Sequence, residues 1–97
     1  MNASATVKFP VQAVTVRINL REVGTTDEYW CMVTNETNGA STNVDGLRLS
    51  AEEQRTIATD SIQALKSVAR TAVRFAHEDI GVWVLDDARC TVRRRYS

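Results

Sequence analysis

The stretch SAEEQRTIATDSIQALKSVARTAVRFAHEDIG, Ser50 to Gly81, decides the fold. It is the long segment in which apolar residues recur at helical rather than strand spacing. At 100° per residue, Ile57, Ala58, Ile62, Leu65, Val68, Ala69, Ala72, Val73, Phe75, Ala76 and Ile80 fall in one arc of about 160°. That arc is wide enough to lie across a sheet, and its alanines let the backbone come close. Ser50 with Glu53 three residues on makes a capping box, and Glu52 and Glu53 suit the positive end of a helix. Gly81 can take the positive φ of a C-terminal cap. The pattern predicts a helix from Ser50 to Asp79.

The polar side of this helix carries Lys66, Arg70 and Arg74 at i, i+4 and i+8, with His77 at a similar angle. Like charges at this spacing cost roughly 0.2–0.5 kcal/mol per pair. Glu78, four residues after Arg74, relieves one end. Such a stripe is either a solvated face or a contact for an acidic surface. That surface is a phosphate backbone or the acid-rich 22–53 segment of another copy.

Upstream, the period changes to two. Val14, Val16, Ile18 and Leu20 alternate with Thr15, Arg17, Asn19 and Arg21, which predicts a strand with one buried face. Val7, Phe9 and Val11 alternate in the opposite phase, and Pro10 cannot donate to a ladder. Residues 1–12 are therefore expected to be an N-terminal arm or edge strand, set off by a bulge near Gln12-Ala13. VGTTDE reads as a turn. EYWCMVTNET is rich in aromatic and β-branched residues and reads as a strand. Asn38-Gly39 is a strong hairpin signal, with φ above zero expected at both positions. The returning segment ASTNVDGLRL is polar, contains Gly46 and should be irregular and near an edge.

Downstream, GVWVLDDARCTVRRRYS predicts two short strands about an Asp86-Asp87 turn. In the last of them Ala88, Cys90, Val92, Arg94 and Tyr96 share one face. Arg89, Thr91, Arg93 and Arg95 share the other. The first set begins apolar and should face the helix, so Arg89, Arg93 and Arg95 form a basic row on the open side. The expected fold is α+β: a mainly antiparallel sheet of about five strands, order βββαββ, with one long helix packed on one face, in a single 1–97 domain.

Composition bounds the function more than it names it. The 97 residues are 43% hydrophobic and 25% charged, which is ordinary for a globular domain. Twelve basic residues balance twelve acidic ones. The balance is uneven along the chain: residues 1–19 carry +2, 20–60 carry −5 and 61–97 carry +3. A polarised neutral chain suits self-pairing or a polarised partner, and lacks the overall basicity of a dedicated nucleic-acid module. No apolar run approaches the roughly 18 residues of a membrane span, and MNASATVKFP does not read as a secretory signal. The expected compartment is the cytoplasm, without membrane contact. The sequons at Asn2 and Asn35 are then coincidental.

Catalytic chemistry is hard to place. Cys31, His77 and Cys90 lack metal-ligand spacing, so no metal or other cofactor is expected. No glycine-rich phosphate loop is present. His77 falls on the polar side of the helix, away from either thiol. Both cysteines lie in strand-like runs and read as buried, reduced thiols. No enzyme is expected.

Trp30, Met32 and Trp83 stand out instead. On residues 28–37, Tyr29, Cys31 and Val33 oppose Trp30, Met32 and Thr34. Both faces are thus partly apolar, as they are around Trp83. One helix covers one face, so the other needs cover. The expectation is a small protein-interaction module, homodimeric, touching its partner through Trp30, Met32 and Trp83 or the 38–46 loop. The alternative is a nucleic-acid binder using Lys66, Arg70, Arg74 and His77, or Arg89, Arg93 and Arg95. A small ligand-binding protein or enzyme is the third and weakest reading. In element order alone, a strand meander followed by a helix and a strand, the chain resembles antitoxins of the HicB kind and the double-stranded-RNA-binding domain. It lacks the latter's opening helix and loop motifs, and no residue is carried over from either family.

Overall fold

The computed structural model describes residues 2–22, 28–52, 54–55, 62–85 and 88–94. The chain runs β1 (Asn2–Phe9), β2 (Val14–Glu22), β3 (Glu28–Asn35), β4 (Ser41–Arg48), α1 (Ile62–Ile80) and β5 (Thr91–Arg94). All strand pairs are antiparallel, in the order β4-β3-β2-β1-β5, and α1 lies on one face. The α+β class, the antiparallel sheet and its covering helix are those expected, and the strand count of five is met by a different set of strands. The element order is ββββαβ rather than βββαββ.

The difference lies at both ends, and each has a local cause. The opposite phase of Val7-Phe9 and Val14-Val16 marks a hairpin, not a bulge. Phe9 pairs with Val14, so the two residues share a face. Between them Gln12 N–H donates to the Phe9 carbonyl at 3.2 Å, and Ala13 N–H to that of Pro10 at 3.2 Å. Pro10 thus opens the turn, where its fixed φ is favourable. Ala13 takes φ +52°, a strained value for a residue with a Cβ. The segment read as an arm or edge is an interior strand between β2 and β5.

At the other end, Val82–Leu85 is not a strand of the sheet. Val82 is buried, while Trp83 is 78% exposed. The side-chain amide of Gln12 takes the place of a neighbouring strand. Trp83 N–H donates to Gln12 Oε1 at 3.0 Å, and Gln12 Nε2 donates to the Val84 carbonyl at 3.2 Å. Asp86, Asp87 and Arg95 to Ser97 lie outside the described residues.

The core forms where alternation meets the helical arc. Ala5, Val7 and Phe9 of β1, Val16, Ile18 and Leu20 of β2, and Tyr29, Cys31 and Val33 of β3 face Val68, Ala69, Ala72, Val73, Ala76 and Ile80 of α1. Phe75, counted in the apolar arc, sits at its margin and is 69% exposed. Residues 51, 52, 54 and 55 are helical, and Gln54 N–H bonds the Ser50 carbonyl at 2.9 Å. Glu53 of the expected capping box, with Ile57 and Ala58, lies outside the described residues.

The end of α1 is fastened to the β3–β4 turn. Val82 N–H reaches the His77 carbonyl at 2.8 Å and Gly81 N–H that of Glu78 at 3.4 Å, with Gly81 at φ +73°: a Schellman cap. Asn35, 1% exposed, donates from Nδ2 to the Ile80 carbonyl at 2.8 Å and accepts from Thr37 N–H at 2.9 Å. Asn38 adds a second bond to the same carbonyl at 3.3 Å. The Asn38-Gly39 hairpin exists, but only Gly39 has positive φ, +80°. A longer turn, in which Gly39 N–H bonds the Asn35 carbonyl at 2.8 Å, leaves Asn38 free to brace the helix.

Candidate functional site: the open face of the sheet

Because strand side chains alternate, burying one set of residues projects the other. The face away from α1 carries Ser4, Thr6 and Lys8 of β1 and Thr15, Arg17, Asn19 and Arg21 of β2. Trp30, Met32 and Thr34 of β3, and Thr91 and Arg93 of β5, join them. Its small polar groups bond one another: Ser4 Oγ donates to Asn19 Oδ1 at 2.9 Å, and the Thr34 and Ser41 hydroxyls lie 3.0 Å apart. The result is a low surface from which the long side chains rise.

Two features stand on it. The first is a basic triad around Thr6. Arg17 and Arg93 are the direct cross-strand neighbours of Thr6 on either side. That places their backbones about 9.5 Å apart, two strand spacings. Lys8 is the diagonal neighbour of both, about 7–8 Å away. Lys8 and Arg93 are exposed. Arg17 has Glu36 for a neighbour, with Nε 3.7 Å from Oε1, beyond hydrogen-bond reach. The Nε–H, shielded from water, has no acceptor.

The second is the Arg21–Trp30 pair, directly opposed across β2 and β3. The guanidinium carbon lies 4.9 Å from the ring centroid, in cation–π range. Met32 is the next outward residue on β3, and its side chain is partly exposed. At the same end Glu28 stands opposite Arg48, which is exposed.

The residues singled out in the sequence are divided by the fold. Trp30, Met32 and Arg93 share the open face. Trp83 does not join them. It sits beside the β1–β2 turn, whereas Trp30 pairs near the far end of β2, roughly 20 Å along the strands. Arg89 falls in a turn before β5 rather than on the strand. Arg95 lies outside the described residues. Lys66, Arg70, Arg74 and His77 occupy the helix, on the other side of the molecule, and Arg70 and Arg74 both have partners within the chain. His77 Nδ1–H donates to the Val82 carbonyl at 3.2 Å, bracing the cap. Lys8, Arg17 and Arg21 were missed as site residues. Each looked like the polar half of an amphipathic strand, and only the strand order gathers them.

Cys31 and Cys90 are both buried, and neither is in a disulfide. Cys90 precedes β5, three strand spacings from β3 and displaced along the strands as well, so the two are more than about 14 Å apart, too far for a disulfide. Burial pushes the Cys31 thiol up to about 12. Among the described residues no three or more His, Cys, Asp or Glu side chains group to hold a metal ion. No helix among them is long and apolar enough to cross a membrane. No protein-family model, curated protein or solved structure matches the chain. The site is therefore read from its own chemistry.

Proposed function

We propose that this chain is a non-enzymatic binding module that engages a macromolecular partner through the open face of its sheet. One observation carries the reading. Among the described residues no second layer covers this face, which gathers Lys8, Arg17, Arg21 and Arg93 around small hydroxyl and amide groups, with Trp30 and Met32 on the strand beside Arg21. Cations and an aromatic ring side by side on a rigid sheet form a contact surface for an acidic partner. The cytoplasm, which keeps thiols reduced, suits the two buried cysteines.

The test is to follow amide shifts by NMR while adding an oligonucleotide, polyglutamate or anionic vesicles, and while raising the protein's own concentration. The expected result is that at least one titration moves Lys8, Arg17 and Trp30 together. Shifts confined to α1 under every addition, or no shifts at all, overturn the reading.

A second reading, self-association, is favoured by a different patch. Val11, Trp83 and Val84 are 55%, 78% and 44% exposed, and Gln12 holds their segments side by side. A homodimer joined here would show in light scattering and be lost in Trp83→Ser. A monomer at high concentration removes this reading and leaves the sheet face untouched.

A further inference from the structure

We infer that the partner of the open face is a single-stranded nucleic acid, with phosphates held at the Lys8–Arg17–Arg93 triad and a base stacked at Arg21–Trp30. The inference rests on the sheet face being the site, and goes beyond it in naming the partner's chemistry.

Charge complementarity is the first argument. Three cations at about 7–10 Å spacing on adjacent strands repel one another. Placing them together is useful where a run of negative charges is to be bound. The neutral net charge of the chain does not oppose this. The exposed carboxylates Glu78 and Asp79 lie at the end of α1, on the opposite face, where a Debye length of about 8 Å at physiological salt hides them from a ligand on the sheet. On the sheet side Glu36 stands beside Arg17, and Glu28 lies on the open face at its Trp30 end, opposite Arg48.

Geometry separates single strands from duplexes. The major groove, about 12 Å wide, admits a helix or a two-stranded ribbon. This sheet presents five strands, about 19 Å from edge to edge, and its site spans four of them, from β3 to β5, rather than a projecting ribbon. A flat face with a ring suits unpaired bases, which stack on aromatic side chains and on guanidinium planes alike. Arg17 and Arg21 lie about 13 Å apart along β2. Triad and ring are thus within reach of a few nucleotides of one extended strand. An acidic protein segment would match the triad but would leave the Arg21–Trp30 platform without a use.

The experiment is fluorescence anisotropy with labelled oligo(dT) and oligo(U), a duplex of equal length, and polyglutamate. It is run from low to near-physiological salt on wild type and four variants: Lys8/Arg17/Arg93→Ser, Trp30→Leu, Trp30→Phe and Lys66/Arg70/Arg74→Ala. Circular dichroism and urea titration check that each folds. We expect the oligonucleotides to bind with a log–log salt slope of about −2, as for three phosphate contacts. The triad variant should lose at least about tenfold in affinity. Trp30→Leu should lose about five- to hundredfold, the size of one stacked base, while Trp30→Phe retains most binding. The helix variant should bind like wild type.

No oligonucleotide binding at low salt overturns the inference. So does binding that the helix variant abolishes and the triad variant leaves intact, or a duplex bound as tightly as the single strands. Polyglutamate bound through the triad in the absence of oligonucleotide binding would overturn the nucleic-acid assignment and leave the sheet face standing as a site. If no probe responds to the face variants, both readings fall.

Discussion

Asn35 shows how much can rest on one side chain. It is the buried polar residue of the described core, and it closes two bonds at once, to the Ile80 carbonyl and from Thr37 N–H. Truncation removes the acceptor of the Thr37 N–H and leaves the carbonyl of buried Ile80 with only the longer bond from Asn38. An unsatisfied buried group costs about 1–3 kcal/mol. Asn35→Ala should therefore lose about 2–3 kcal/mol in urea titration with an unchanged slope, and Asn38→Ala, on an exposed residue, less than about 1 kcal/mol. Equal losses would mean that Asn35 does not carry the joint. Cys31 offers a test with a definite sign. Its folded-state thiol titrates at about 12 instead of 9.0 because burial disfavours the thiolate. The unfolded chain releases that proton near pH 9 and the folded chain does not. The contribution is complete below about pH 9 and fades as pH climbs toward 12, by at most about 1.4 kcal/mol per unit. From about pH 9 to pH 10 the wild type should lose about 1 kcal/mol more stability than Cys31→Ala. Parallel pH profiles would show that the thiol is not shielded as its burial implies.

At the scale of elements, the helix cap and the β3–β4 turn form one joint, and their two glycines separate strain from crowding. Gly39 and Gly81 both have positive φ, but a Cβ on Gly39 meets nothing within 4 Å, whereas one on Gly81 meets Asn38 Nδ2 at 3.2 Å. Gly39→Ala should cost about 1 kcal/mol, the conformational penalty alone. Gly81→Ala should cost more, about 2 kcal/mol, because Asn38 must also give way. Thermal unfolding ranks the two, at about 4–8 °C per kcal/mol for a chain of this size. The reverse order would show that Asn38 does not brace the helix. This joint also marks where the sequence stops being legible. The last residues of α1, its cap at Gly81 and the inward face of β3 follow from periodicity and glycine placement, signals local to their own segments. The same holds for the irregular edge strand: the register of β3 and β4 shifts between Tyr29 and Cys31, opposite Asp45-Gly46. The turn at Pro10–Ala13 was not legible, because a phase reversal of alternation fits a bulge and a hairpin equally well. Only the Phe9–Val14 pairing distinguishes them. Trp83 misled for a related reason. Val82-Trp83-Val84 has strand composition, but a glutamine side chain from 71 residues away takes the place of a pairing strand. No local pattern records that contact.

For the whole molecule, the instructive quantity is where charge lies in space rather than along the chain. By segment, the acid-rich 20–60 region looks like the polarised part. In the fold, Arg21 from that region joins Lys8 and Arg17 from the first strands and Arg93 from the last strand on one face. The strand order β2-β1-β5 brings residue 93 beside residue 6, and neither end of the chain carries the pattern alone. Two accounts of that face differ in what they predict for stability. If the cations only solvate a strand surface and guard its edge, each is neutral or helpful to folding. If they are gathered to hold an anion, the unliganded protein carries their mutual repulsion. Replacing Lys8 and Arg93 with threonine, a good strand former, then removes like charges from neighbouring positions while sparing the Arg17–Glu36 contact. The double variant should match or exceed wild type by up to about 0.5 kcal/mol in urea titration at low salt. The gain should shrink at high salt, where the repulsion is already screened. A loss above about 1 kcal/mol at either salt would place these two side chains among the supports of the sheet. A salt-sensitive gain would identify a surface that trades stability for a negatively charged partner.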